Sequence, residues 1–140
     1  MADESNSLRV RVVSPERILI EQTADAVELP AKNGYMEVLY GHAPLLAELG
    51  AGDVRIHGGA AGEQIYNVSW GFVEVLPERV TILANDALKP EEIDVNRARQ
   101  QLDRGHKMWN EAGESEEAYD KALHVISEAE SKLATAEEKH

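Results

Sequence analysis

The chain contains no cysteine. That excludes a disulfide framework and thiolate metal sites, and it fits a reducing compartment. Aromatic side chains make up only 5 % of the 140 residues, so the folding pattern has to be read from aliphatic positions. No run approaches the roughly 20 apolar residues of a membrane span, and any membrane role has to come through a partner. The opening residues, Met1 to Ser7, are acidic and polar. They lack the basic and apolar stretches of a signal peptide and the arginines of a transit sequence.

Basic residues are the minority. Fourteen Lys and Arg stand against 26 Asp and Glu, a formal net charge of −12, so nucleic acid and anionic lipid are poor candidate partners. The acidity is spread over both halves, as two solvated faces rather than an acidic tail.

Catalytic patterns are missing as well. There is no G-x-x-x-x-G-K-[ST] phosphate loop. Gly50-Ala51-Gly52 begins like a dinucleotide fingerprint, but Arg55 stands where the third glycine belongs and no helix follows. The five histidines (His42, His57, His106, His124, His140) lack metal-ligand spacing. Ser69-Trp70-Gly71 lacks the leading glycine of a nucleophile elbow. Gly71 reads as a bulge or a close approach within a strand. These absences predict a protein without catalytic residues, metal or tightly bound cofactor.

What is present falls into two halves. Leu8–Val13 alternates apolar and charged residues, the period of a half-buried strand. Short strands are predicted at 18–20, 25–29, 35–39, 45–49, 54–57, 64–69, 71–76 and 80–84, separated by turn residues such as Asn33-Gly34 and Pro77-Glu78. Eight to ten short strands at this spacing predict an antiparallel β-sandwich over residues 1–88. Residues 89–140 predict an antiparallel two-helix hairpin, so the fold class is α+β with two subdomains. The first helix is expected from Pro90 to about Trp109, with Glu91 and Glu92 at the positive end of its dipole. The second is expected to run to about Lys139, with Ser115 as N-cap.

The hairpin seam alternates large and small residues. In the first helix it reads Val95, Ala98, Leu102, Gly105, Trp109; in the second, Tyr119, Ala122, Ile126, Ala129, Leu133, Ala136. These are heptad spacings. Such a seam packs closely but buries few methylenes, which suits a hairpin that can form and come apart. Trp109 reads as a packing residue before it reads as a partner anchor. The turn Gly41-His42-Ala43-Pro44 leaves two readings open: His42 caps a neighbouring carbonyl, or the turn is an exposed contact loop.

Taken together, several blocks resemble the epsilon subunit family of F-type ATP synthases, which includes the mitochondrial subunit called delta. Val10-Arg11-Val12-Val13-Ser14-Pro15-Glu16 resembles the family's first strand and turn. Gly34-Tyr35-Met36-Glu37-Val38-Leu39-Tyr40-Gly41-His42-Ala43-Pro44-Leu45 resembles its G-x-[ML]-G-[VI]-x-P-G-H-A-P-L signature, with Glu37 and Tyr40 replacing a glycine and a proline. Ser69-Trp70-Gly71-Phe72 resembles the S-G-G block, with Trp70 in place of the first glycine. Val80–Ala84 and Ile93-Asp94-x-x-Arg97-Ala98 follow in the family's order.

The resemblance implies a non-catalytic rotor subunit of a proton-translocating ATP synthase. The flattened sandwich would bind the gamma subunit and sit on the membrane c-ring, with Gly34, Tyr35, Met36, His42, Ala43 and Pro44 on the c-ring side. The hairpin would be a regulatory arm that packs down, or extends along gamma into the alpha/beta catalytic head and inhibits ATP hydrolysis. Some family members bind ATP on the hairpin, which would place Asp94, Arg97 and Ala98 at such a site. Here the second helix has no arginine and is strongly acidic, so weak ATP binding and weak inhibition are expected. Residue by residue, Asp94 and Arg97 also read as a simple intrahelical pair. The implied location is peripheral, on the cytoplasmic face of a bacterial plasma membrane, with a plastid thylakoid as the alternative. Competing functions are a stand-alone protein-binding module and an ATP-sensing regulator.

Overall fold

The computed structural model describes residues 7–59 and 61–138. The chain divides into two compact units, residues 1–89 and 90–140.

The first unit is one seven-stranded sheet: β1 (Leu8–Val13), β2 (Ile18–Ala24), β3 (Ala26–Ala31), β4 (Gly34–Leu39), β5 (Leu45–His57), β6 (Gln64–Leu76) and β7 (Arg79–Leu88). Their order in the sheet is β2-β1-β7-β6-β5-β3-β4. All neighbours are antiparallel except β1 and β7. Inward residues from all seven strands, among them Leu8, Leu29, Val38, Ile56, Val73 and Ile82, join a single apolar core. A sheet whose seven strands share one core has to close on itself in two layers.

Among the described residues the strand count is seven, below the eight to ten expected from the spacing. Two predicted pairs of short strands are each one long strand. Gly50-Ala51-Gly52, read as a turn, lies inside β5, and Trp70 and Gly71 lie inside β6. β7 likewise runs on through residues 85–88, read as a connector. The ladder shows why. Leu49 pairs with Gly71 and Gly71 with Ala84; two residues on, Ala51 pairs with Ser69 and Ser69 with Asp86. The register skips the level between them, Gly50, Trp70 and Asn85, on all three strands. Across it the buried face changes parity: Tyr66 and Val68 before it in β6, Val73 and Val75 after it. The same switch separates Leu49 from Val54 in β5, and Ile82 from Ala87 in β7.

In β6 the switch falls at Trp70. Trp70 has φ 58, the one positive φ outside glycine among the described residues. A left-handed residue turns the following chain about its axis and exchanges the strand's two faces. Gly71 follows at φ 117, and a Cβ there would lie 2.1 Å from the Leu83 carbonyl oxygen. The close approach expected of Gly71 is therefore present, and only glycine fits it.

The second unit holds a short 3-10 turn (Pro90–Glu92), α1 (Val95–Asn110) and α2 (Glu116–Glu138). The first helix starts at Val95 rather than Pro90. Asp94 is extended, and its carboxylate accepts the Arg97 N–H at 3.1 Å, so it caps the helix and stops it growing backward. Ser115 caps α2 as expected, accepting the Ala118 N–H at 3.1 Å. The expected end of α2 at Lys139 lies outside the described residues. Gly113, at φ 64, makes the turn between the helices.

Candidate functional site: apolar sheet surfaces and a helical hairpin

Gly34, Tyr35 and Met36 open β4, which is an edge strand of the sheet, and His42, Ala43 and Pro44 lie in the turn just beyond it. The Tyr35 phenol accepts the Asp53 N–H at 2.9 Å while the residue as a whole stays 60 % exposed. Met36 packs partly against the core. His42 Nδ1 donates to the Ala43 carbonyl at 2.7 Å, which is the capping reading of this turn. The Gly41 N–H reaches the Pro77 carbonyl at 2.6 Å and ties the turn to the β6–β7 hairpin. Ala43 and Pro44 are exposed, and so are Leu39, Tyr40, Leu45 and Leu46, the last at 70 %. The capping bond is thus present, and the turn carries an apolar, accessible surface.

A second apolar surface is absent from the sequence-based expectations. Ile18 pairs with Val13, Val13 with Leu83 and Leu83 with Phe72. These four residues form one row across β2, β1, β7 and β6. Ile18, Leu83 and Phe72 are 52 %, 48 % and 51 % exposed. The next row along the same strands is polar: Glu21, Arg11, Thr81 and Glu74. The Arg11 guanidinium meets Glu21 at 3.5 Å. An apolar row with a polar border is what a protein partner covers. Its sequence signal is three adjacent apolar pairs, Val12-Val13, Ile82-Leu83 and Phe72-Val73, where strict alternation would place a polar residue outward.

In the hairpin the small seam residues are the buried ones: Ala98, Gly105, Ala122, Ala129 and Ala136. The large ones, Val95, Leu102, Tyr119, Ile126 and Leu133, flank them; Leu133 and Ile126 stay partly accessible. A Cβ on Gly105 would fall 2.7 Å from Ile126 Cγ1, so the two helices approach each other closely at this glycine. Trp109 is 44 % exposed and meets Tyr119 edge-to-face at 4.6 Å. Its ring thus packs and remains accessible. Outside the predicted stripe, Gln101 Nε2 donates across the seam to the Val125 carbonyl at 3.3 Å, and Lys132 and Thr135 of α2 are buried. Lys132 is held by Glu128 at 2.7 Å.

The Asp94 carboxylate is engaged by the backbone of Arg97. That capping bond stands where a side-chain pair is expected, because satisfying an otherwise unpaired helical N–H takes precedence. Among the described residues no group of His, Asp or Glu converges as a metal site. One histidine is nevertheless engaged twice. His57 donates from Nε2 to Glu28 and from Nδ1 to Glu63, each at 2.6 Å. Hydrogen bonds to these carboxylates raise its pKa above the usual histidine value, and the imidazole in turn lowers that of Glu63. Sequence spacing could not reveal this contact, since Glu28 lies on another strand.

With this geometry in place, comparison with known proteins is specific. Residues 7–90 match the family model described as the β-sandwich domain of the ATP synthase delta/epsilon chain. The ATP synthase epsilon chain of Solibacter usitatus is 40% identical over 135 residues, covering 96% of this chain and 98% of that one. The epsilon chain of Koribacter versatilis is 39% identical over 110 residues, 78% of this chain and 76% of its own length. The sodium ion specific epsilon chain of Propionigenium modestum is 37% identical over 97 residues, 69% of this chain and 70% of its own length. Among solved structures, a chain of the Euglena gracilis mitochondrial ATP synthase (OSCP/F1/c-ring) superposes with TM-score 0.75 at 19% identity, covering 92% of this chain and 81% of that one. At that identity the likeness speaks for the fold alone. The chain belongs to the delta/epsilon family of ATP synthase chains, as a non-catalytic, epsilon-type member.

Proposed function

We propose that this chain is a central-stalk rotor subunit of an F-type ATP synthase. Its sheet unit binds the gamma subunit and seats on the c-ring. Its hairpin regulates the alpha/beta head by inhibiting ATP hydrolysis. The observation that supports this best is the pair of exposed apolar surfaces on the sheet unit: the row Ile18, Val13, Leu83, Phe72, and the edge carrying Leu39, Tyr40, Leu45 and Leu46. A non-catalytic subunit with two such surfaces can bridge two partners. We assign the edge, with Gly34–Met36 and His42–Pro44, to the c-ring.

The seam supports the role proposed for the hairpin. Burial of a methylene contributes about 0.8 kcal/mol, so a seam centred on Ala and Gly is displaced by modest competing contacts. ATP is at most a weak ligand here: the Asp94 carboxylate is committed to its cap, Lys132 is committed to Glu128, and α2 carries no arginine. The coupling ion is a proton in this reading. One relative is named as sodium ion specific, so the coupling ion is not the same throughout the relatives. The chain is peripheral, at the cytoplasmic face of a bacterial membrane; no helix among the described residues is long and apolar enough to cross one.

Co-purification with gamma tests the assignment. The full chain and a chain ending at Lys89 should both bind gamma, and the double change Phe72→Glu, Leu83→Glu should abolish binding. Failure of the unmodified chain to bind gamma would refute the rotor reading. For the arm, a cross-link between α1 and α2 should relieve inhibition of ATP hydrolysis; unchanged inhibition would refute the regulatory reading.

A further inference from the structure

His57 ends β5, and Glu28 lies in the middle of β3, one register step away, since Ala26 pairs with His57 and Glu28 with Arg55. Glu63 lies on the connection between β5 and β6. Its Oε1 takes the His57 Nδ1 contact, and its Oε2 accepts the Gly58 N–H at 3.1 Å. The His57 carbonyl accepts the Asp25 N–H at 2.8 Å. Gly58 and Gly59 have φ 73 and 79, and they lie against the β2–β3 junction: a Cβ on Gly59 would fall 2.1 Å from the Thr23 carbonyl oxygen, and one on Gly58 2.1 Å from Asp25 Oδ2.

An ionised carboxylate only accepts hydrogen bonds, and a neutral imidazole carries one N–H. Two 2.6 Å contacts from opposite sides of one ring to two carboxylates therefore describe an imidazolium. The two ring nitrogens point in opposite directions, so the arrangement bridges two segments instead of gathering ligands around one ion.

We propose that Glu28, His57 and Glu63 form a proton-operated clamp that holds the start of the β5–β6 connection against the β2–β3 junction while His57 is protonated and releases it when the proton leaves. The charged groups around the ring set its direction. Glu37 of β4 stands directly opposite Glu28, a like-charge pair that favours a cation beside it. Asp25 adds a further carboxylate at the junction. Arg55 opposes this effect, and its guanidinium is directed to Asp53 at 3.7 Å. Of these groups, the two carboxylates of Glu28 and Glu63 touch the ring.

Loss of the proton leaves a bare ring nitrogen facing a carboxylate, and one contact has to break. Glu28 is fixed by strand pairing on both sides, to β4 and β5. Glu63 has no such ladder, so the Glu63 side yields, and the Gly58 N–H loses its acceptor with it. This inference is independent of the rotor assignment and is tested on the isolated chain.

The experiment is an NMR titration of the full chain from pH 5 to 9. It follows the His57 ring signals and the Gly58 amide exchange rate, corrected for its intrinsic pH dependence. The expected result is a His57 midpoint above that of exposed histidine, with Gly58 exchange rising about tenfold across that midpoint. In Glu63→Gln, the midpoint should fall and the exchange step should shift with it. In His57→Gln, the step should vanish while sheet amides stay protected, which also shows that the variant is folded. A His57 midpoint at the ordinary histidine value would overturn the clamp. So would Gly58 exchange that shows no step at the His57 midpoint, or a step that survives in His57→Gln.

Discussion

The two units of this chain bury different kinds of residue. The twelve largest fully buried side chains, from Leu8 to Ile82, all belong to the sheet unit. In the hairpin, the side chains with no exposure are Ala122 and Ala129. A fully buried Val, Leu or Ile contributes about 1.5–3 kcal/mol, whereas an alanine offers one methyl. The sheet is therefore held by the quantity of apolar surface it removes from water, the hairpin by closeness of fit. That difference suits a fixed docking platform joined to an arm that can let go.

The largest expected effect lies in the sheet. Ile82→Ala should cost about 2–5 kcal/mol in denaturant unfolding, because it leaves a cavity in a core closed on all sides. Leu133→Ala, at the margin of the hairpin seam, should cost less than half as much; equal losses would erase the contrast between the units. Gly71→Ala comes next, at about 2–4 kcal/mol, since its Cβ meets the Leu83 carbonyl and its φ is one that L-residues avoid. In the hairpin, Gly105→Ala sets a helix-propensity gain of about 1 kcal/mol against an overpacking cost of about 1–3 kcal/mol. The net expectation is a hairpin destabilised by about 1 kcal/mol, read from exchange of α1 and α2 amides. A stabilised hairpin would show that the seam is looser than its geometry. Asp94→Ala should cost about 1 kcal/mol, confined to the start of α1.

The smallest effect is the pH dependence contributed by His57. Its pKa is raised in the folded chain, so its contribution to stability is complete below the unfolded value of about 6.5 and disappears as pH rises through the folded value. Thermal unfolding in His57→Gln should lose that slope, and its persistence would assign it to another group.

Much of this architecture is legible in the sequence because periodicity reports one face at a time. Alternation in Leu8–Val13 identifies β1, and the seam from Tyr119 to Ala136 identifies α2 with Ser115 as its cap. What periodicity cannot report is a strand that changes face. At Trp70 and Gly71 the apolar positions shift parity, so a continuous strand looks like two, and Gly50-Ala51-Gly52 looks like a turn. A tryptophan gives no local signal of a left-handed backbone, which is rare for any residue other than glycine, asparagine or aspartate. Pro90 and the acidic pair behind it suit a first helical turn, which draws the expected start of α1 too early; Asp94, a stronger cap, comes later and wins. The outward row Ile18, Val13, Leu83, Phe72 is visible only once register sets those four residues side by side. The contact of Glu28 with His57 is invisible for the same reason.

The central claim is that the hairpin opens while the sheet stays closed. Native-state amide hydrogen exchange of the full chain under rising denaturant tests it directly. The account predicts that amides of α1 and α2 exchange through a separate opening at lower free energy, while amides of β5, β6 and β7 remain protected until global unfolding. Exchange of both sets through one event, at the same free energy, would contradict it.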